Sequence, residues 1–400
     1  MTLLRKSVLL FGFFVLCMQG YAQDTQGHKQ DTERVVITKM PDGGAFSILE
    51  RSDWRRYDNG KYIGLVRNEV RASIIPFNGG LYQGNFFVLQ STLRDMRHSA
   101  QAVDAIVPVR FEVTGEGSLE IESDRGFPML RGFPFYPDNF TARGARWSAQ
   151  GDRAVDPFNK GQAMVIPFTA NYEYRGIENY NGVPVHRLYA AYGYNYQNEA
   201  EAHPYLHAIG NHKVDILIRA SDSLVVFMRD DLDVTYTLSG RSKIQFRGFT
   251  LTFASSIVPL DKEKEITSLE KNFVIEAPGI DFAPVDEGIK LTVKDIRFIA
   301  DSSEFLPEES PRLDLLAQAL KQIPDRTFLV EGHTASVGLP ENEMKLSIER
   351  AESIISELVK RGIKAERFIF KGWGGTRPVS NNTTNEGRSA NRRVEITILE

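Results

Sequence analysis

The fold of this chain is decided by residues 328–351, which read FLVEGHTASVGLPENEMKLSIERA. Three apolar residues come first, and the small residues of Gly332–Gly338 that follow predict a turn after a short buried strand. A helix is then predicted from Glu341 to Arg361, because its apolar residues recur every three or four positions: Met344, Ile348, Ala351, Ile355 and Leu358. A strand, a turn and an amphipathic helix in this order are typical of an α+β layer.

The alternation of strands and helices continues on both sides of this stretch. A second helix is predicted from Glu308 to Ile323, since Ser310 and Pro311 favour a helix start and Pro324 ends it. Runs of β-branched and aromatic residues predict strands at 291–298, 327–330, 367–371 and 393–399. The C-terminal part is therefore predicted to be a β-α-β-α-β-β unit with two helices on one sheet.

Four short motifs occur in order along this part of the chain: EGHT at 331–334, LSIERA at 346–351, GWG at 372–374 and NTTNEGRSANRRVEI at 382–396. In order and spacing they resemble the C-terminal domain of the OmpA family, which Pal lipoproteins and flagellar-motor stator proteins share. The resemblance covers residues 289–400 and does not extend to the residues before them. It implies an OmpA-like α+β domain that binds peptidoglycan non-covalently, through the diamino acid of the stem peptide.

The resemblance also implies which residues form the binding groove. Arg350 matches the family's carboxylate-binding arginine, and its planar guanidinium suits a bidentate contact. On the predicted helix it follows Ser347 by three residues, so it leaves the core face and can point toward the turn. The groove is expected to comprise Thr334, Ala335, Asn342, Glu343, Ser347, Arg350, Arg388, Asn391 and Arg392.

One position departs from the family pattern. Ala335 stands where the family carries the aspartate that accepts the ammonium of the diamino acid. A charge-assisted hydrogen bond is worth about 1.5 to 3 kcal/mol, so its loss weakens binding by roughly ten- to more than a hundredfold. Glu343 occupies a position where the family usually has Asn, and it is one candidate for a displaced anion. The alternative is a groove that no longer binds the wall and serves another partner.

The basic residues Arg388, Arg392 and Arg393 raise the question of a phosphate or nucleic-acid ligand. The formal net charge of the chain is −4, with Lys and Arg spread along its 400 residues. Such a chain lacks the overall positive field that draws proteins onto nucleic acid. We therefore expect these arginines to support the groove or contact the wall, and we expect no nucleic-acid partner.

The first residues predict export. Arg5 and Lys6 precede an apolar run from Ser7 to Met18, and Ala22 is a small residue where a signal peptidase cuts. Residues 1–22 are interpreted as a signal peptide; an uncleaved anchor and a lipid on Cys17 are the alternatives. Residues 23–45 are polar and are predicted to be a flexible tail. The expected location is the periplasm, in association with the cell wall or outer membrane.

Residues 46–256 show short alternating runs separated by turn residues, which predict a soluble all-β domain, either an antiparallel sandwich or barrel-like. Arg67, Glu69 and Arg71 share one face of a strand, which disfavours a membrane-spanning barrel. The many aromatic residues between 127 and 196 are expected in the core, with a ligand face as the alternative. Residues 257–288 contain many charges and three prolines and are predicted to be a linker to the domain at 289–400.

No motif indicates catalysis, a cofactor or a metal. Cys17 is the only cysteine, and Pro204 and Gly210 are expected to place His203, His207 and His212 in a loop rather than on one face. Glu331 and Glu386 could be imagined as an acid and base pair for cutting glycan, but nothing in their spacing supports it. The chain is therefore predicted not to be an enzyme.

These expectations combine into one leading function. The C-terminal domain contacts peptidoglycan while the β domain engages another envelope component, such as an outer-membrane or periplasmic protein, so that the two are coupled mechanically. The alternative is a protein-interaction or scaffold module whose degenerate groove no longer binds peptidoglycan.

Overall fold

The computed structural model describes residues 44–77, 80–90, 99–114, 119–136, 142–157, 161–198, 203–273, 280–294, 296, 298, 303–323 and 325–400. The expected signal peptide and residues 23–43 of the expected tail lie outside the described residues. Within the described part of the chain, no helix is both long and apolar enough to span a membrane. The described residues from 44 onward group into one compact unit.

The first part of this unit is built from strands, as the alternating sequence predicts. They are β1 (Phe46–Asp58), β2 (Lys61–Phe77), β3 (Leu81–Leu89), β4 (Gln101–Val113), β5 (Leu119–Ile121), β6 (Leu130–Arg131), β7 (Arg146–Val155), β8 (Met164–Tyr180), β9 (Val183–Gln197), β10 (Tyr205–Arg219), β11 (Val225–Leu238) and β12 (Lys243–Ser256).

These strands form one antiparallel sheet in the order β5-β4-β3-β2-β1-β12-β11-β10-β9-β8-β7-β6. Because β1 pairs with both β2 and β12, the strands that come first and last along this part of the chain lie side by side within the sheet. Two tight hairpins carry Asn-Gly, with both residues at positive φ: Asn59-Gly60 and Asn181-Gly182. This is the backbone geometry that two-residue hairpins favour.

We call this sheet the β domain. Its apolar clusters contain most of the aromatic residues between 127 and 196, which were predicted to lie in the core. Tyr172, Tyr174, Tyr192 and Tyr194 are buried among apolar side chains of the same cluster. Phe127 stacks on Phe86, with ring centres 4.7 Å apart. These aromatic residues pack in the core.

The C-terminal elements are α1 (Lys262–Phe273), β13 (Ile280–Val285), β14 (Gly288–Lys294), α2 (Ser310–Lys321), β15 (Phe328–Gly332), α3 (Pro340–Lys360), β16 (Phe368–Gly372), α4 (Asn385–Asn391) and β17 (Arg393–Leu399). The sheet order is β13-β14-β17-β15-β16, and β15 and β16 are its parallel pair. The buried residues of α2 and α3 share one apolar cluster with β14, β15, β16 and β17. The α+β architecture predicted for residues 289–400 is present.

The segment 257–288, predicted to be a linker, contains α1 and β13. Leu269 of α1 is buried in the C-terminal core, and Ile266 packs beside it. Lys262 donates a hydrogen bond to the carbonyl of Val285 at 2.6 Å. The high charge of α1 lies on its exposed side, which is why composition alone favours a linker. The proposed division at 46–256 and 289–400 stays a prediction.

The β domain and the C-terminal sheet meet at β4 and β16. Ile369 and Phe370 pair in parallel with Gln101 and Ala102, so backbone pairing runs from one sheet to the other. Lys371 Nζ donates hydrogen bonds to the carbonyls of Val103 and Asp104, at 3.1 and 2.7 Å. Side chains from the β domain and from the C-terminal sheet form a small apolar cluster at this junction: Phe87, Leu89, Val103, Leu329, Ile369 and Leu399.

Candidate functional site

The predicted groove is built where α3 crosses the ends of β15 and β16. The crossing is close because glycines leave room for it: a Cβ added to Gly332 would lie 2.0 Å from the Ser347 carbonyl oxygen. A Cβ on Gly372 would lie 2.5 Å from Ser347 Oγ. The glycines of the EGHT and GWG motifs therefore set the distance between helix and sheet.

Ser347 links the helix to the turn after β16. Its side chain is fully buried, and its hydroxyl donates to the Met344 carbonyl at 2.7 Å. The same oxygen accepts the backbone N–H of Gly374 at 2.9 Å. The hydroxyl of Ser347 thus acts as a donor and as an acceptor within the protein, and it connects α3 to the turn after β16.

Glu343 organises the turn between β15 and α3. Its Oε1 accepts the backbone N–H groups of Val337 and Gly338, both at 2.7 Å. Its Oε2 faces Gly375, where an added Cβ would lie 2.8 Å away, and the residue is only 9% exposed. The carboxylate thus points into the protein's own turn, and this geometry weighs against the expectation that Glu343 supplies a displaced anion.

Asn391 fixes the loop on the other side of the groove. Its side-chain oxygen accepts the N–H groups of Val379 and Ser380, at 2.8 and 3.0 Å, and its amide donates to Asn382 Oδ1 at 2.9 Å. The same Asn382 oxygen accepts the N–H of Ser336 at 3.1 Å. Asn382 thereby connects the loop to the turn; it belongs to the motif at 382–396 but was not among the predicted groove residues.

The basic residues of this region differ in their surroundings. Arg388 donates to the Asn382 carbonyl at 2.9 Å and also contacts Asn385. Arg393 is buried and donates to Glu395 at 2.7 Å. Only Arg392 of the three is exposed. Two of the three arginines thus support the fold.

Arg350 lies one helical turn beyond Ser347, partly exposed. The guanidinium carbon sits 4.7 Å from the ring centre of Phe298, within the range of a cation–π contact. Phe298 follows β14, and nothing in the sequence marked it as part of the groove.

Ala335 and Thr334 are buried in the turn, and the Thr334 N–H donates to the Gly374 carbonyl at 2.9 Å. Asn342 is exposed on the first turn of α3.

A network of buried charges lies beside the groove. Trp373 Nε1 donates to Glu331 at 2.7 Å, while Lys290 and Arg393 donate to Glu395 at 2.8 and 2.7 Å. Burial raises the pKa of Glu331, whereas the two cations hold the pKa of Glu395 low against its burial. Glu331 is thus held beside Trp373, and Glu386, its imagined partner, is exposed on α4.

His333 is buried at the start of the turn, with Nε2 3.8 Å from Glu395. Burial, assisted by the charge of Arg393, lowers the pKa of His333 to about 3. The imidazole is therefore neutral at physiological pH, as suits a residue that completes the end of a strand.

Two of the three histidines of the β domain do not lie in a loop, which corrects the prediction made from Pro204 and Gly210. His207 and His212 are within β10, whereas His203 lies in the bend just before it. Gly210 is needed in this strand because a Cβ there would lie 2.2 Å from the ring of Tyr194. Among the described residues, no three His, Cys, Asp or Glu side chains converge as a metal site would require.

The fold and the groove define an OmpA-like domain, and comparison with known proteins agrees. The profile of the OmpA family matches residues 297–392. Outer membrane protein A of Bordetella avium is 38% identical over 132 residues, which are 30% of this chain and 68% of that protein. The chain therefore belongs to the OmpA family and is a component of the cell envelope.

Two further proteins are similar to a part of the chain. Peptidoglycan-binding protein ArfA of Mycobacterium tuberculosis is 34% identical over 103 residues, covering 26% of this chain and 32% of that protein. The solved structure of the cell wall anchor of the T6SS from Pseudomonas aeruginosa is 29% identical, covers 34% of this chain and 96% of its own, and has a TM-score of 0.30.

Proposed function

We propose that this envelope protein contacts peptidoglycan non-covalently through the OmpA-like groove. The observation that carries the proposal is the complete internal frame of the groove, in which Ser347, Glu343, Asn391 and Asn382 join the turn, the helix and the loop. ArfA, a relative of this chain over 103 residues, is named as a peptidoglycan-binding protein. The role is one of attachment rather than catalysis.

The chemistry of the ligand decides how strong this contact is. The diamino acid presents a carboxylate and an ammonium, and Arg350 supplies the cation for the carboxylate. Ala335 offers no acceptor for the ammonium, and the carboxylate of Glu343 already binds two backbone N–H groups. We expect a one-sided site whose weak contacts gain strength from many copies on the wall.

A second function is favoured by the apolar rim of the groove. Val337, Leu339 and Val379 are 71%, 69% and 61% exposed. Exposed apolar side chains grouped at one site are typical of protein contacts. The scaffold alternative, in which the groove binds a protein and not the wall, rests on these three residues.

For the β domain we propose a soluble, barrel-like form that engages another envelope component. The adjacency of β1 and β12 and the buried inner face support a curled sheet. The shared backbone pairing of β4 and β16 would pass a load from this component to the wall without a flexible hinge.

Sedimentation of the full chain with purified sacculi tests wall binding. Arg350→Ala is expected to abolish co-sedimentation, and Ala335→Asp to strengthen binding by roughly ten- to more than a hundredfold, about 1.5 to 3 kcal/mol. Lys345→Ala is the matched control, since Lys345 is an exposed cation on the same helix. If Arg350→Ala binds as the unmodified chain does, the family's binding mode does not operate and the scaffold function takes its place.

Triple replacement of Val337, Leu339 and Val379 by Ser separates the two functions further. If the chain binds the wall through Arg350, sedimentation of this variant with sacculi is expected to stay nearly unchanged. A protein-binding groove would instead lose its partner while the fold, followed by circular dichroism, stays intact.

A further inference from the structure

Two neighbouring, partly open cavities lie among the strands of the β domain. The larger has a volume of about 270 Å³ and lies between β1–β4 on one side and β11–β12 on the other, with residues 128–136 across it. Its walls are apolar or aromatic, among them Ile48, Ile74, Phe86, Met228 and Ala254. None of its described lining residues carries a charge.

This cavity is larger than a packing defect. Protein interiors leave few voids bigger than a water molecule, and an apolar cavity of ~150 Å³ already binds benzene. Stacked rings hold its walls apart: Tyr82 lies on Phe111 with centres 5.6 Å apart, and Phe86 on Phe127 at 4.7 Å. Tyr136 also donates to the Ser223 carbonyl at 3.5 Å. The cavity is therefore preformed.

The smaller cavity, of about 90 Å³, continues along the same strands and, unlike the larger one, is lined in part by charged residues. Glu50 and Arg153 both line it. Arg153 donates to Tyr192 and Asp230, at 2.8 and 3.2 Å, while no described side chain donates a hydrogen bond to the Glu50 carboxyl. An acid at this position disfavours a carboxylate, and the uncharged lining of the larger cavity disfavours an ion of either sign, so a ligand that enters through the larger cavity buries an uncharged end.

We propose that the larger cavity binds a single uncharged apolar chain, of the kind that lipids carry as acyl chains. The chain lies along the strands with its buried end toward Glu50, and the apolar walls replace water around it. The β domain is proposed above to engage another envelope component, and an apolar chain would be the class of ligand it binds. Binding of this ligand does not depend on wall binding. The source of the chain is either a membrane lipid or a free single-chain amphiphile.

Binding of N-phenyl-1-naphthylamine to the full chain tests the proposal, since this uncharged probe fluoresces in apolar surroundings. We expect saturable one-site binding that dodecanol displaces. Met228→Trp fills the cavity and is expected to weaken binding at least tenfold; Ala254→Leu is a smaller filling variant in case the first does not fold. Ile177→Ser, at a residue 53% exposed, is the matched control and keeps the unmodified affinity.

The outcomes are distinct. The proposal is overturned if the unmodified chain gives no saturable signal, or if folded Met228→Trp and Ala254→Leu bind the probe as tightly as the unmodified chain. Displacement by phosphatidylethanolamine vesicles identifies a membrane lipid as the source, and displacement by dodecanol alone identifies a free amphiphile. Sedimentation of Met228→Trp with sacculi is expected to stay unchanged, so failure here and failure of wall binding are seen separately.

Discussion

The two sheets of this protein bury charge in different ways. In the C-terminal sheet, Glu395 receives hydrogen bonds from Lys290 and Arg393, and Glu331 receives one from Trp373. In the β domain, Asp230 is paired with His212 at 2.9 Å and Arg153 at 3.2 Å, yet the neighbouring Glu50 faces a cavity. Burial raises the pKa of Glu50 to about 7, even with Arg153 nearby.

The difference separates structural charges from a charge that is available to a ligand. A buried ion that is fully hydrogen-bonded keeps its site closed, since opening it would leave a partner uncompensated. A half-buried acid that receives no side-chain hydrogen bond destabilises the fold when it ionises, and such groups are typical of binding sites. The paired C-terminal charges therefore support their groove, whereas Glu50 of the β domain faces a cavity.

The largest expected effect comes from breaking the paired part of the β domain network. Asp230→Ala removes the carboxylate that Arg153 and His212 share and leaves a buried cation, so we expect a loss of about 3 to 5 kcal/mol in the free energy of unfolding. Urea denaturation followed by circular dichroism measures it. Asp231→Ala, at an exposed neighbour, is the control and should cost less than about 1 kcal/mol. A similarly small loss for Asp230→Ala would mean that Glu50 takes over the pairing.

A smaller loss of stability is expected in the C-terminal domain when the pH is lowered, and it comes from His333. The pKa of His333 is about 3 in the folded protein, and an unfolded His titrates near 6.5. Because the unfolded chain binds the proton first, stability is lost as pH falls below about 6.5. Between pH 7 and pH 5 this amounts to about 2 kcal/mol. Urea unfolding of His333→Gln at both values should lack this increment, and an identical pH dependence in the two proteins would contradict it.

Glu50 is expected to give the smallest effect, and in the opposite direction. Its folded pKa of about 7 lies above the ordinary value of 4.5, so the folded state holds the proton longer and stability falls as pH rises between these values. Glu50→Gln removes this cost, and the variant should be roughly 1 to 2 kcal/mol more stable at pH 8, after allowance for the solvent reaching its half-buried side chain.

The same variant should match the unmodified protein near pH 4, where Glu50 is protonated in both the folded and the unfolded state. Thermal unfolding at the two pH values checks the sign. A Glu50→Gln protein that is less stable at pH 8 would show that Glu50 is paired like Glu395, and the contrast between the two sheets would disappear.

Much of the C-terminal domain was predictable because its signals are local. The three- and four-residue spacing around Ile348 and Ala351 specifies a helix face, and the motif order specifies the family. The limits of prediction appear at Glu343, where the sequence offers an acid near the turn but not the direction of its oxygens. That direction depends on the N–H groups of Val337 and Gly338, which only the folded turn presents.

From the sequence alone, the strands within residues 46–256, the OmpA-like domain near the C-terminus and the alanine in place of an acid at position 335 could be predicted. Which side chains meet inside the β domain, and that β4 pairs with β16, could be read only from the folded structure. Glu50, Arg153 and Asp230 lie on three strands far apart in the chain. Alternation shows which residues share a face of one strand, but strand order and register decide their neighbours across the sheet, and these depend on contacts between distant residues.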